Sequence, residues 1–184
     1  MASSQLPLAL VVIAGPQASG KSTTATALSD SLRELGERVA LVELDQIAAM
    51  ALPTLPSWDT AHAIFESVTA AWCRAELTCV IAEGSGSQAE VSRLLEGAPT
   101  TAVKVTVITT TPFEVAFQRA RTDPSRGISK QHSFLEAVYE RWRSEMLQME
   151  PDVLLDTDEL DVEQSIDMIR RAMTSARTAG AASR

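Results

Sequence analysis

One eight-residue segment combines glycines, a lysine and a hydroxyl at a spacing suited to holding phosphate. Residues 15–22 read Gly-Pro-Gln-Ala-Ser-Gly-Lys-Ser and match G-x-x-x-x-G-K-[ST] at every defined position. Such a loop lets backbone N–H groups converge on phosphate oxygens at a helix N-terminus. Lys21 would reach the β- and γ-phosphates, and the Ser22 hydroxyl would ligate Mg²⁺, which prefers oxygen ligands. The residues predicted to bind the nucleotide here are Gly15, Pro16, Gln17, Ala18, Ser19, Gly20, Lys21, Ser22 and Thr23.

Two acidic side chains stand where apolar runs end. Asp45 follows the second run and Glu83 ends the third. Open parallel sheets bind ligands at the carboxyl ends of their strands, so both are predicted to face the same crevice. Asp45 is predicted to orient or deprotonate an acceptor hydroxyl, with a helix N-cap as the alternative role. Glu83 would hold Mg²⁺ or contact the acceptor, and the sequence leaves these two roles open.

A basic, turn-rich segment covers residues 121–127, in a chain that is acidic overall. Arg126, beside a glycine, is predicted to be a catalytic arginine that closes over the transferring phosphate, and Arg121 to contact phosphate. The alternative is a solvated helix end that interacts favourably with the helix dipole. Trp58 lies in the segment after Asp45, where it would line an acceptor pocket or pack in the core or on the surface.

The elements that must position these residues alternate short apolar runs with helical patterns. Five strands are predicted, at 8–14, 39–44, 79–82, 102–109 and 153–155. Apolar residues at helical spacing connect them, including one stripe of Ala61, Ile64, Phe65, Val68, Ala71, Trp72 and Ala75. This alternation predicts an α/β fold, a three-layer αβα sandwich around a parallel sheet. Residues 1–175 are expected to form one domain and 176–184 a flexible tail.

Composition excludes several classes of function. The net charge of −8 argues against a partner bound through a nucleic-acid backbone, and 4% aromatic residues argue against base stacking. The longest apolar stretch, 6–14, is too short for a membrane span. Two cysteines and the lack of a recognisable signal peptide indicate a cytoplasmic protein. The oligomeric state is left open, with a homo-oligomer among the expectations.

The phosphate loop, Asp45, Glu83 and the 121–126 loop together resemble the small P-loop kinase group. That group includes the shikimate, gluconate and adenylylsulfate kinases and the zeta-toxin-like enzymes, and the layout is most similar to the chloramphenicol phosphotransferases. The resemblance implies a sheet of order 2-3-1-4-5, an arginine-bearing lid, ATP with Mg²⁺ as donor, and Asp156 near the adenine.

The function expected from the sequence is transfer of the ATP γ-phosphate to a hydroxyl of a small molecule, meaning a metabolite, nucleoside-like compound or antibiotic. No guanine-reading N-K-x-D pattern occurs in the chain, yet the sequence does not settle ATP against GTP. Two alternatives stay open: a nucleotide-dependent regulatory module with slow hydrolysis, and a zeta-toxin-like kinase that acts on a nucleotide sugar.

Overall fold

The computed structural model describes residues 6–124 and 126–182 and contains a five-stranded, fully parallel sheet of order β2-β3-β1-β4-β5. The strands are β1 (Ala9–Ala14), β2 (Val39–Glu43), β3 (Cys79–Glu83), β4 (Val103–Thr110) and β5 (Val153–Asp156). The α-helices are α1 (Lys21–Glu34), α2 (Leu44–Ala49), α3 (Trp58–Trp72), α4 (Gln88–Gly97), α5 (Phe113–Thr122), α6 (His132–Met146) and α7 (Val162–Ala182). A short 3₁₀ helix, Ile128–Lys130, precedes α6. The predicted fold class and strand order are confirmed.

Alternate residues of β1 face the two sides of the sheet, as the period of an extended strand requires. Leu10 and Val12 belong to a core shared with α2, α3, α4 and α6, whereas Val11 and Ile13 belong to a core shared with α1 and α7. Because both faces are covered by helices, β1 is buried along its whole length. Helices on both sides of one sheet make the three predicted layers.

Helix α3 buries a narrower stripe than the sequence predicts. Ala61, Phe65 and Thr69, at a spacing of four, form its buried line. Ile64 and Trp72, which the sequence assigns to the same apolar stripe, are 45% and 46% exposed. The helix rests on the sheet along one edge only, and apolar residues outside that edge stay in solvent.

The carboxyl end of the chain differs from the predicted tail. Helix α7 continues to Ala182, through the region expected to be flexible from residue 176. Arg177 on this helix donates to both carboxylate oxygens of Glu37 and to the carbonyls of Pro7 and Thr78. A side chain with four such acceptors holds the last turns against the amino-terminal ends of β1 and β3.

Among the described residues, no helix is both long and apolar enough to cross a membrane.

Candidate active site

The phosphate loop connects β1 to α1 and is held by contacts with other parts of the chain. Gly20 precedes α1 with φ of +92°, a conformation that L side chains rarely adopt. A Cβ on Gly15 would lie 2.6 Å from the carbonyl oxygen of Thr109 on β4. Both glycines are therefore required by the backbone, in agreement with the sequence pattern.

Within the loop, side chains differ in what they are free to bind. Ser19 is buried and its hydroxyl bonds to the Pro16 carbonyl and to Thr109 Oγ1, at 2.8 and 2.7 Å. Its side chain braces the loop, and its backbone N–H also donates to the Pro16 carbonyl, at 3.4 Å. Ser22 and Thr23 are exposed at the start of α1.

Thr157, just beyond β5, joins the phosphate loop to a basic side chain. Its hydroxyl donates to the Ser19 carbonyl at 2.9 Å. Arg119 on α5 donates to Thr157 Oγ1 and to the Thr157 carbonyl, each at 2.8 Å. The segment after β5 thus supports the phosphate loop through Thr157.

Two cavities flank the phosphate loop, one on each side. The first, about 430 Å³, will be called the donor cavity. Its lining residues are Ala18, Gly20, Thr23, Thr24, Arg119, Thr122, Asp123, Arg126, Thr157, Leu160, Val162 and Ser165. Two arginines and the start of α1 make it suited to an anion.

The predicted arginines are placed unequally. Arg126 lines the donor cavity and its guanidinium bonds to Asp123 at 3.2 Å. Arg121 lines neither cavity: it lies on the last turn of α5, exposed, with its guanidinium 5.7 Å from the centre of the Phe117 ring. Two helical positions span about 200°, so Arg119, two residues earlier, faces the loop instead. Asp156 also lies outside the lining of both cavities and accepts the N–H of Asp158.

The second cavity, about 690 Å³, will be called the acceptor cavity. It lies at the carboxyl ends of β2 and β3, beneath α2, α3 and α6. Its lining residues are Gly15, Pro16, Gln17, Lys21, Leu44, Asp45, Trp58, Asp59, His62, Ala63, Glu66, Glu83, Gly84, Ser85, Ser87, Arg93, Val138, Arg141, Trp142 and Glu145. The sequence predictions for Asp45, Glu83 and Trp58 therefore meet in one cavity beside the loop lysine.

Asp45 lies in the first turn of α2 and not at its N-cap. The N-cap residue is Glu43, and no side chain hydrogen-bonds as a cap there. The alternative role of Asp45 as a helix cap is wrong, because the helix begins two residues earlier than that role requires. Asp45 is exposed in the acceptor cavity.

Lys21 and Glu83 form a buried pair at the floor of this cavity. Lys21 Nζ lies 3.7 Å from Glu83 Oε1 and donates to the Pro16 carbonyl at 3.1 Å. Burial raises the pKa of Glu83 to about 7, against the attraction of Lys21. Burial likewise lowers the pKa of Lys21, against the attraction of Glu83 and Asp45. For both groups, the effect of removal from water on the pKa is larger than the effect of their mutual attraction.

Several site residues gave no signal of their own in the sequence. Tyr139 on α6 donates to the Gln17 carbonyl at 3.3 Å, and Trp142 one turn later lines the acceptor cavity. Both recur at helical spacing with core residues, so their periodicity alone predicts that they pack in the core. Their position beside the loop depends on how α6 crosses the sheet, which local patterns do not encode.

The family model described as an AAA domain matches residues 10–146 of this chain. Among curated proteins none is significantly similar in sequence.

Solved structures of three kinases align with almost the whole chain. A putative kinase from Chloroflexus aurantiacus is 19% identical with a TM-score of 0.68, and the alignment covers 95% of this chain and 100% of that one. Shikimate kinase from Bacteroides thetaiotaomicron is 16% identical with a TM-score of 0.65, covering 90% and 98%. The APS kinase from Mycobacterium tuberculosis, in complex with AMPPNP and APS, is 14% identical with a TM-score of 0.63, covering 91% and 98%. The chain has the P-loop fold that these kinases share.

Proposed function

Because the chain belongs to the AAA domain family and has the fold of small P-loop kinases, we propose that it transfers the γ-phosphate of ATP to a hydroxyl of a small molecule. Its donor is a nucleoside triphosphate bound by the phosphate loop. Its acceptor is bound on the opposite side of the loop. The proposed catalytic residues are Asp45, Lys21 and Arg126.

The observation that carries the proposal is the pair of cavities on the two sides of one phosphate loop. Ala18 and Gly20 line the donor cavity, whereas Gly15, Pro16 and Gln17 line the acceptor cavity. A phosphoryl group held by the loop would lie where the cavities adjoin. A donor and an acceptor bound in the two cavities are therefore held on either side of the phosphoryl group, as its transfer between them requires. A module that only binds nucleotide has no need of the second cavity.

The acceptor cavity supplies the groups for the transfer step. Asp45 takes the proton of the acceptor hydroxyl while the hydroxyl oxygen forms a bond to the γ-phosphorus. The bond between that phosphorus and the β,γ-bridging oxygen breaks, so ADP leaves with the electron pair. When the nucleotide binds, Lys21 leaves its contact with Glu83 to neutralise the phosphate oxygens, and Arg126 approaches from the donor side to stabilise the charge that develops during transfer.

The residues at the start of α1 fit a magnesium ion. Ser22 is exposed there, and its hydroxyl bonds to none of the described residues. Glu83 lies beside Lys21, so its carboxylate would face the ion directly or through water. Bound Mg²⁺ would neutralise charge on the β- and γ-phosphates.

The experiment measures ADP release from Mg-ATP across a panel of hydroxyl acceptors, with sugars, nucleosides, nucleotide sugars, shikimate-like acids and antibiotics. At least one acceptor is expected to raise turnover well above the background ATPase. Asp45→Asn should lower the stimulated rate about 100-fold or more and leave ATP affinity unchanged, since an amide cannot take the proton.

Asp167→Asn is the matched control, because Asp167 is an exposed aspartate on α7, outside both cavities. Full stimulated turnover in Asp45→Asn would remove Asp45 from the mechanism. Tight ATP binding with no stimulation by any acceptor would favour the regulatory module over the transferase. Stimulation by nucleotide sugars alone would favour the zeta-toxin-like reaction.

A further inference from the structure

A buried carboxylate stands behind the acceptor cavity, outside the catalytic set. Glu90 on α4 is 1% exposed, although an ionised carboxylate removed from water requires compensating partners. It has two: Oε1 accepts the N–H of Gly86 at 3.0 Å, and Oε2 bonds to Nδ1 of His62 on α3. Both oxygens of Glu90 are thereby used inside the protein.

His62 is left with one nitrogen for a ligand. Its ring lines the acceptor cavity, and its side chain is 24% exposed. The two nitrogens of an imidazole point away from each other, so bonding Nδ1 to the buried Glu90 turns Nε2 away from the core. Nothing in the described part of the chain hydrogen-bonds to Nε2. Glu90 thus fixes both the orientation of the ring and the nitrogen that stays available.

The surroundings of His62 indicate what kind of group it would meet. Trp58 lies one helical turn earlier, half exposed, with its ring 6.5 Å from that of His62. Asp59, the next residue after Trp58, also lines the cavity and forms no ion pair with the described residues. An aromatic surface flanked by hydrogen-bonding side chains is typical of small-molecule sites.

Charge in the acceptor cavity disfavours an anionic acceptor. Lys21 is paired with Glu83, and Arg93 with Glu66 at 2.7 Å. Of the lining lysines and arginines that the structure describes, this leaves Arg141 without a carboxylate partner. The carboxylates of Asp45 and Asp59 form no ion pair with the described residues and would repel a further anion.

We propose that His62, oriented by Glu90, binds a second hydroxyl of a polyhydroxylated acceptor that is neutral or carries an amine. This assignment rests on the proposed function and names its substrate class. One hydroxyl reacts at Asp45, and another bonds to Nε2 of His62. A hydroxyl both donates and accepts, so it satisfies Nε2 whether or not that nitrogen carries a proton.

Glu90 is the positioning residue of this arrangement and also contacts the turn beside the phosphate loop. The Gly86 that donates to Glu90 approaches the loop so closely that a Cβ on it would lie 2.7 Å from the Gly15 nitrogen. The Glu90 carboxylate therefore fixes both the orientation of the His62 ring and the position of the turn that packs on the phosphate loop. Acceptor and donor sites share this support.

The test follows the His62 ring by long-range ¹H–¹⁵N NMR during titration with named probes. The neutral and amino probes are D-glucose, D-ribose, myo-inositol and D-glucosamine, and the anionic probes are D-gluconate and shikimate. At least one neutral or amino probe should shift the His62 resonances and leave those of His132 unchanged. No shift by any of these probes, or a shift at lower concentration by the anionic ones, would overturn the proposal.

Variants then separate binding from structure. His62→Asn should weaken the binding of the shifting probe about tenfold, the loss expected for one hydrogen bond to a polar group, with Mg-ATP affinity unchanged. Glu90→Gln should weaken probe binding similarly, because the amide cannot accept from both His62 and Gly86. His132→Asn is the matched control, an exposed histidine on α6 outside both cavities. Unchanged probe binding in His62→Asn would contradict the assignment.

These measurements do not depend on turnover. If a probe shifts His62 but no acceptor stimulates ADP release, the binding assignment stands and the proposed transfer is contradicted. Stimulated ADP release by a neutral or amino probe that leaves His62 unmoved contradicts only the assignment. If a variant fails to fold, the titration of the unaltered protein still decides.

Discussion

Lys21 and Glu83 lie 3.7 Å apart with side chains 11% and 6% exposed. In such a place the cost of removing both charges from water exceeds what their attraction returns, so each group is shifted toward its neutral form. A phosphate that draws Lys21 away would relieve one half of this arrangement. The pair is consistent with a lysine that is available to a nucleotide and not locked in a structural ion pair.

We predict that Glu83→Gln becomes more stable relative to the natural protein as the pH rises. The pKa of Glu83 is raised from 4.5 to about 7, so the folded state keeps a proton that the unfolded chain releases. Between these two values the natural protein loses on the order of 3 kcal/mol of unfolding free energy, whereas glutamine loses none. Urea unfolding at several pH values between 4 and 8 measures the difference.

Glu34→Gln corrects this measurement for the loss of one negative charge, since Glu34 is exposed at the end of α1. A constant difference between Glu83→Gln and the natural protein across that range would show that Glu83 does not carry the raised pKa.

The positions of single site residues could be predicted from the sequence where a motif or the end of a strand determines them. The spacing of Gly15, Gly20 and Lys21 determines a loop geometry by itself, and Asp45 and Glu83 follow from the ends of two strands. Arg121 is predicted to contact phosphate because the sequence assigns residue 121 to a loop, whereas α5 continues to Thr122. On this helix the two positions that separate Arg119 and Arg121 span about 200°, so Arg119 faces the loop and Arg121 faces away.

The turn between β3 and α4 shows how an element outside the phosphate loop sets its position. Gly86 has φ of +84°, and a Cβ there would meet the Gly15 nitrogen at 2.7 Å, Trp142 at 3.1 Å and Ala14 at 3.2 Å. This turn therefore fills the space between the loop and α6. The sequence alone does not reveal this role of its glycines, because the neighbours of the turn come from distant parts of the chain.

We predict that Gly86→Ala weakens ATP binding at least tenfold, because the methyl group must displace the start of the phosphate loop. Gly36→Ala is the matched control: Gly36 has φ of +83°, but a Cβ there meets nothing within 4 Å. Gly36→Ala should lower the free energy of unfolding only by the strain of the left-handed conformation, about 1 kcal/mol, and leave ATP affinity unchanged. Calorimetric titration with Mg-ATP measures both. Equal affinity in the two alanine variants would show that the contact with Gly15 does not set the loop.

The layered architecture was predictable as a whole, because buried parallel strands and amphipathic helices leave strong periodic signals. The strand order came from the resemblance to small P-loop kinases, since period alone does not tell which strands are neighbours. At the carboxyl end, small and polar residues predict fraying, whereas the structure has helix α7 as far as Ala182. Arg177 changes that outcome through partners more than 90 positions away in the sequence, which no local pattern reveals.

We predict that Arg177→Met lowers the unfolding free energy by about 3 kcal/mol, because breaking a nearly buried pair leaves Glu37 without its cation. The paired side chains are 11% and 9% exposed and meet through two bonds of 2.8 and 2.7 Å. For a chain of this size the melting temperature should fall by about 10 °C. Arg171→Met, at an exposed position on the same helix, should change it by no more than about 2 °C. Equal melting temperatures of the two variants would mean that the contacts of Arg177 do not stabilise the sheet. The segment from residue 176 onward would then behave as the flexible tail that the sequence predicts.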